Sequence, residues 1–264
     1  MRLLASLIFF TRLPWWRIRE VPKEAFEHVV DWWPFVGWLT GGVMALVLFL
    51  ASILGFPPYV AAFLAIASRM LLTGALHEDG LADFCDGFGG GVTRERTLSI
   101  MKDSHIGTYG VLGLFVTCGL LWACLGEIGQ WTIGNVQFLI LLFDVAAKCA
   151  ASLITSQLPY ARTAESAKNG VVYINRSGWL LHALRCAIAL SLPIALCVAS
   201  GYGGAVVLIV VPFVVEYLLM LWMRKRLGGY TGDCCGALFL LCELSLYLVC
   251  FVVDRNTLNF IFPQ

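Results

Sequence analysis

Long apolar stretches alternate with short polar connections along the whole chain. The stretch 35–54 contains twenty residues without a charge, 109–126 contains eighteen, and 202–223 contains a single acid. As a helix, each is long enough to cross a hydrocarbon core about 30 Å thick. Four further stretches of similar length contain one or two charges: 57–76, 131–155, 179–199 and 237–253. The pattern predicts an all-α, polytopic bundle of about seven transmembrane helices in a lipid bilayer.

The composition supports this prediction and excludes other classes of protein. Hydrophobic residues make up 59% of the 264 residues and charged residues 13%, which is too apolar for an ordinary soluble domain. A net charge of +1 gives no reason to expect nucleic acid as a partner. Most of the ten cysteines fall in apolar stretches, where a thiol behaves as a small apolar group. Because no soluble linker or repeat is present, we expect residues 1–264 to form a single membrane-embedded domain.

Basic residues are concentrated in alternate connections. Fourteen of the eighteen Lys and Arg lie in the N-terminal arm or around residues 94–102, 162–176 and 224–226. Cytoplasmic segments of membrane proteins carry such an excess. We therefore expect these segments, and the chemistry of the protein, on the cytoplasmic side of the membrane. The connection with Lys168 and Arg176 is a candidate either to cover a bulky substrate or to bind a phosphate group of one.

An acidic segment, HEDGLADFCDGFGGG at 77–91, directly follows an apolar stretch. On a helix that turns about 100° per residue, Asp79, Asp83 and Asp86 lie within about 60° of one another. Carboxylates on one face repel each other unless cations neutralise them. Carboxylate ligands without an array of thiols or imidazoles favour a hard cation, which is Mg²⁺ in a protein that acts on phosphate groups. The predicted magnesium ligands are therefore these three aspartates and Asp103, which lies near the start of the next apolar stretch.

The residues that follow the acids suit a phosphate group. Gly89 and Gly90 would let backbone N–H groups approach phosphate oxygens, while Arg94 and Lys102, with Ser104 nearby, would add positive charge and hydrogen bonds. The alternative is that this connection is polar only because water solvates it. The single acidic face, the glycines and the bases together favour a pocket for a magnesium-bound pyrophosphate.

Five motifs extend this pattern over nearly the whole chain. They are FTRLP at 10–14, WPFVG at 33–37, HEDGLAD at 77–83 with DG at 86–87 and IMKDS at 100–104, LPYAR at 158–162, and GYTGD at 229–233. Together they resemble the cobalamin synthase family (CobS; adenosylcobinamide-GDP ribazoletransferase). Glu78 departs from the family pattern, in which this position is apolar, so which local acid contacts the metal is left open.

The resemblance implies a Mg²⁺-dependent transferase of the cytoplasmic (inner) membrane of a prokaryote. Such an enzyme joins adenosylcobinamide-GDP to α-ribazole, or its 5'-phosphate, and releases GMP. Asp86 is the predicted proton acceptor and His77 the alternative base. Arg162 and Asp233 belong to matching motifs and are predicted to line the substrate site. Association into a homo-oligomer is left open.

Two other functions are compatible with clustered acids at the end of a span. The element Asp79-Gly80-Leu81-Ala82 also occurs in CDP-alcohol phosphotransferases, although Asp83 stands where that family has arginine and its later acidic motif is missing. A divalent-cation transporter would place acids near the membrane midplane, whereas these acids cluster at one end of a span.

Charged residues also occur inside the apolar stretches. Asp144 and Lys148 are four residues apart, so we expect an ion pair on one helix face. The remaining intramembrane charges are Arg69, Arg185, Glu216 and Glu243. They should face the bundle interior, and the sequence does not identify their partners.

Overall fold

The computed structural model describes residues 1–131, 136–162 and 178–252, and every regular element within them is helical. The α-helices are α1 (Arg2–Phe10), α2 (Trp33–Ile53), α3 (Pro58–Thr73), α4 (Leu76–Gly90), α5 (Arg94–Ile100), α6 (Thr108–Trp131), α7 (Val136–Ser152), α8 (Ile154–Gln157), α9 (Trp179–Ala199), α10 (Val210–Leu227) and α11 (Gly232–Val252). Short 3₁₀ helices cover Trp15–Arg17, Lys23–His28, Val30–Trp32 and Gly203–Ile209. Lys168 and Arg176, in the predicted substrate cover, lie outside the described residues.

Six helical segments of the described chain are long and apolar enough to cross a membrane. They are Val30–Ile53, Thr108–Gly129, Gln137–Gln157, Trp179–Ala199, Gly203–Leu227 and Gly232–Val252. Helix α3 has only 16 residues, fewer than the roughly 20 that a span needs, and it becomes a seventh candidate only together with α4. The predicted all-α, polytopic bundle is confirmed.

A sharp bend of 91° separates α3 from α4. Gly74 and Ala75 form it in the left-handed conformation, with φ of 69° and 57°. The bend is held from both sides, because the Ala75 N–H donates to the Met70 carbonyl at 2.8 Å and the Arg12 N–H donates to the Leu72 carbonyl at 2.8 Å. The acidic segment, which forms α4, is thereby turned out of line with α3.

Helix α7 lies at the centre of the bundle and packs against α2 and α11. Its contact with α2 is close because α2 presents glycines. A Cβ atom on Gly37 would lie 2.9 Å from Asp144 Oδ1, and one on Gly41 would lie 2.9 Å from Asp144 Cβ. Small residues allow membrane helices to approach in this way.

Four charged side chains meet inside the bundle and form what we call the membrane ion cluster: Arg69, Asp144, Lys148 and Glu243. Lys148 pairs with Asp144, as predicted from their spacing. Arg69 Nη1 lies 2.5 Å from Glu243 Oε1 and 3.6 Å from Asp144 Oδ2. All four side chains are at most 1% exposed. Two bases and two acids therefore neutralise each other across α3, α7 and α11.

The other intramembrane charges also have polar partners. Arg185 Nη1 lies 3.1 Å from Asp31 Oδ2, just before α2. The Gln157 amide donates to Glu216 Oε2 at 3.4 Å. Both contacts join segments far apart in the chain, which explains why the sequence could not identify the partners.

Candidate functional site

A cavity of about 200 Å³ opens at the end of the bundle where α2 and α11 begin. Three acids and one arginine line it, together with apolar groups, and we call it the acid pocket. Its lining residues are Phe9, Phe10, Val30, Trp33, Leu76, His77, Asp79, Gly80, Asp83, Met101, Tyr160, Arg162, Gly232, Asp233, Cys235 and Gly236. The structure thus brings together five of the residues predicted from sequence: His77, Asp79, Asp83, Arg162 and Asp233.

Two glycines allow α4 and α11 to cross closely at the pocket. A Cβ atom on Gly80 would lie 3.0 Å from the Asp233 carbonyl oxygen. One on Gly236 would lie 2.9 Å from the His77 carbonyl oxygen and 3.2 Å from its Cα. Because these neighbours are backbone atoms, neither can move aside easily. The crossing therefore sets how Asp79 and Asp83 on α4 lie relative to Asp233 on α11.

Two motifs that are about 70 residues apart in the chain form one wall of the pocket. The segments around Tyr160 and Tyr230 pair as a short parallel bridge. The Ala161 N–H donates to the Tyr230 carbonyl at 2.8 Å, and the Tyr230 N–H donates to the Pro159 carbonyl at 3.0 Å. Gly229 lies at this contact, where a Cβ atom would be 2.4 Å from the Pro159 oxygen. The bridge explains why LPYAR and GYTGD contribute to the same site.

Arg162 is held at the pocket by this wall. Its Nη2 donates to Asp233 Oδ2 at 3.3 Å and to the Met101 carbonyl at 3.2 Å. Its Nε is buried and has no hydrogen-bond partner within the described chain. Arg162 is the only Lys or Arg among the residues that line the acid pocket in the described structure. It is thus the cation placed to contact an anionic ligand there.

Arg94, predicted to contact phosphate, lies outside the acid pocket. Its Nε donates to the Leu227 carbonyl at 2.7 Å and its Nη2 to the Ala161 carbonyl at 2.8 Å. Arg226 similarly donates to the carbonyls of Phe88 and Gly91. Three of these four carbonyls, all but that of Ala161, lie at the C-terminal ends of α10 and α4, where backbone acceptors lack partners within the helix.

Asp86 and Asp103 lie around a second pocket beside α6. Asp86 is 7% exposed, and its Oδ2 and Oδ1 accept hydrogen bonds from the N–H groups of Gly107 and Gly110 at 2.6 and 2.8 Å. Asp103 is exposed and lies 2.7 Å from His105 Nδ1. The hydrogen bond from the His105 side chain lowers the pKa of Asp103. The four predicted magnesium ligands are therefore divided between two pockets.

The other residues predicted to bind substrate lie outside the acid pocket as well. Gly89 packs against the Tyr109 ring, where a Cβ atom would be 2.6 Å from the ring, and Gly90 lines the second pocket. Lys102 and Ser104 are exposed in the connection between α5 and α6. Their assignment to phosphate stays a prediction.

His77 forms an inner wall of the acid pocket. Its ring is 2% exposed and stacks on Trp33, with ring centroids 5.4 Å apart and planes 5° apart. Phe239 packs against it at 4.8 Å. His77 Nε2 is buried and has no hydrogen-bond partner among the described residues. His77 therefore contributes its aromatic ring to the cavity wall, while its Nε2 lies inside the protein.

The sequence did not identify several residues that line the pocket as site residues. For Trp33 and Tyr160, the signal toward the site was their membership of the motifs quoted above. The Tyr160 ring packs edge-on against Tyr230, with centroids 5.5 Å apart, and burial raises the pKa of Tyr160 to about 12. At neutral pH its hydroxyl keeps its proton and can donate a hydrogen bond.

The acid pocket could hold magnesium through two carboxylates, with a substrate supplying further ligands. In the described part of the chain, no three His, Cys, Asp or Glu side chains are grouped to hold an ion. Magnesium, however, is usually held by one or two carboxylates together with substrate phosphates and water. Asp79 and Asp83, one helical turn apart on the pocket side of α4, meet that requirement.

The fold and the site define a multi-pass membrane protein with an acid-lined pocket at one end of a helix bundle. Residues 2–251 match the family described as cobalamin-5-phosphate synthase, CobS, and the chain belongs to this family. The family predicted from the five motifs is confirmed.

Curated relatives cover nearly the full chain. A protein of Leptothrix cholodnii named adenosylcobinamide-GDP ribazoletransferase is 41% identical over 253 residues, 92% of each chain. Proteins of the same name from Shewanella amazonensis and Bradyrhizobium diazoefficiens are 36% and 37% identical; the alignments cover 93% and 94% of this chain and 93% and 92% of theirs. No solved structure matches the chain.

Proposed function

We propose that this chain is an adenosylcobinamide-GDP ribazoletransferase, the enzyme that assembles the nucleotide loop of cobalamin. The observation that carries the proposal is the family match over residues 2–251. The acid pocket supports it, because the motifs that identify the family converge there. The acceptor is α-ribazole or its 5'-phosphate, and the products are the corresponding cobalamin and GMP.

We assign the diphosphate of adenosylcobinamide-GDP to the acid pocket, where the carboxylates of Asp79 and Asp83 would hold Mg²⁺. Bound there, Mg²⁺ would neutralise phosphate charge and stabilise the leaving oxygen. Arg162, the one Lys or Arg that lines the acid pocket in the described structure, would supply positive charge to a phosphate oxygen. The cavity is small compared with a typical ligand pocket of roughly 300–1,000 Å³. The corrinoid would therefore lie beyond it.

The transfer itself depends mainly on positioning and charge neutralisation. A ribose hydroxyl of α-ribazole attacks the phosphorus attached to cobinamide, a new O–P bond forms, and the bond from that phosphorus to GMP breaks. The hydroxyl proton needs an acceptor at the pocket. Of the two predicted acceptors we assign His77, because His77 lines the acid pocket whereas Asp86 lies outside it and both Asp86 oxygens accept backbone hydrogen bonds.

We also propose that the acid pocket faces the cytoplasm from the inner membrane of a prokaryote. Apart from the buried Arg69, Lys148 and Arg185, the described Lys and Arg residues all belong to the N-terminal arm, connections or helix ends on the pocket side of the bundle. Cytoplasmic segments carry this bias.

The test is an assay on the purified full-length protein in detergent. With adenosylcobinamide-GDP, α-ribazole and Mg²⁺, it should release GMP, and chelation of Mg²⁺ should stop the release. Arg224→Gln, at the exposed end of α10, is a matched control that should keep full activity. Activity only with a CDP-activated lipid, or magnesium uptake into liposomes without GMP release, would refute the proposal.

A further inference from the structure

Asp86 joins α4 to the beginning of α6. Its carboxylate is buried and accepts hydrogen bonds from the backbone N–H groups of Gly107 and Gly110. These groups lie at the first turn of α6, where N–H donors have no carbonyl partner within the helix. A carboxylate there satisfies the donors and interacts favourably with the positive end of the helix dipole.

The Asp86 carboxylate packs directly against Gly107 and Gly110, so that neither position has room for a side chain. A Cβ atom on Gly107 would lie 2.5 Å from Asp86 Oδ1, and one on Gly110 would lie 2.4 Å from Asp86 Oδ2. Neither glycine has a positive φ, so the backbone conformation does not require glycine at these positions. Glycine is required because the Asp86 carboxylate occupies the space that a side chain would need.

The segment 101–107 is fixed to α4 at both of its ends, and one end reaches the acid pocket. At Gly107 the attachment is the Asp86 carboxylate. At Met101 it is a close contact with Gly87, where a Cβ atom would lie 2.4 Å from Met101 Cγ. The Met101 carbonyl accepts the hydrogen bond from Arg162 Nη2 at 3.2 Å. Asp86 and the pocket arginine therefore contact opposite ends of the same short segment.

We propose that Asp86 is a positioning residue, whose carboxylate holds the start of α6 and the segment 101–107 in the place where Met101 orients Arg162. Asp86 does not line the acid pocket, and Arg162 does. The kinetic part of the inference rests on the proposed transferase function. A base at position 86 would control the proton transfer, whereas a positioning residue controls how well the diphosphate is bound.

The test compares Asp86→Asn with the wild type. An asparagine oxygen can accept from one of the two N–H groups, while its amide group would face the other donor. Because hydrogen bonds to a charged group are strong, we expect the KM for adenosylcobinamide-GDP to rise about tenfold. The kcat should change less, and the pH profile of kcat should keep its shape. Hydrogen exchange of the amides at 107–111 should become faster.

Two further variants complete the experiment. Gly110→Ala keeps the carboxylate but displaces it, so it should raise KM and speed exchange in the same way. Glu95→Gln removes a carboxylate from the exposed face of α5 and should change neither. A collapse of kcat with loss of one limb of the pH profile, or an unchanged KM, would overturn the proposal. If the wild type releases no GMP, the exchange experiment still decides: unchanged exchange in both variants refutes the attachment itself.

Discussion

The acid pocket and the membrane ion cluster both contain several charged side chains, but the two regions differ in their net charge. In the cluster two bases meet two acids, and all four side chains are buried. The pocket has three aspartates and a single arginine, and Asp79 is exposed. The cluster is neutral within the protein, whereas the pocket carries an excess of negative charge.

This difference separates acids that stabilise the bundle from acids that can serve a ligand. A charge in a membrane interior is costly unless an opposite charge or hydrogen bonds compensate it. An exposed acid at the end of the bundle has water to solvate it and can exchange that water for a cation. The pocket acids are therefore expected to matter for turnover, and the cluster for stability.

The largest effect is expected when the cluster is broken. Arg69→Met should leave Glu243 buried without its 2.5 Å partner and destabilise the fold by about 3–5 kcal/mol. Combining Arg69→Met with Glu243→Gln should restore much of that loss, because the second change removes the unpaired charge. Thermal unfolding of the protein in detergent measures both effects.

The matched control for this prediction is Lys225→Met. Lys225 is exposed near the end of α10, so the same change of side chain should alter stability little. If Arg69→Met unfolds at the same temperature as Lys225→Met, the cluster contributes nothing to stability.

A pocket acid should behave in the opposite way. Asp79→Asn should lower the rate of GMP release on the order of 100-fold, as expected for a group that stabilises transition-state charge. Its unfolding temperature should stay the same or rise, because one of several like charges is removed. Both the rate and the unfolding temperature would be measured on the same preparation. A large drop in unfolding temperature would place Asp79 with the structural acids.

Helical spacing in the sequence identified part of this site. Spacing alone placed Asp79 and Asp83 on one helix face, and both line the acid pocket. The same spacing included Asp86, which contacts α6 instead. Helical periodicity gives the direction of a side chain relative to its own helix and says nothing of which neighbour lies there.

The residues that complete the pocket depend on tertiary contacts. Asp233 reaches α4 through the close crossing at Gly80 and Gly236, and Arg162 reaches Asp233 through the backbone bridge at Tyr230. Only the resemblance to a family connected these motifs in the sequence. For the bend before α4, Gly74 gave a local signal, whereas the left-handed Ala75 gave none.

The smallest of the expected effects tests the helix crossing that assembles the pocket. Gly236→Ala adds a Cβ atom 2.9 Å from the His77 carbonyl oxygen and 3.4 Å from the Gly80 Cα. Overpacking of this kind costs about 1–3 kcal/mol, and separating α4 from α11 should lower kcat/KM for GMP release about tenfold.

Gly42→Ala is the control, because a Cβ atom there meets nothing within 4 Å. Alanine in that helix interior should leave the rate unchanged and stabilise by up to about 1 kcal/mol. Equal rates for the two variants would show that the pocket tolerates a wider crossing, and that Asp233 does not need to lie close to Asp79.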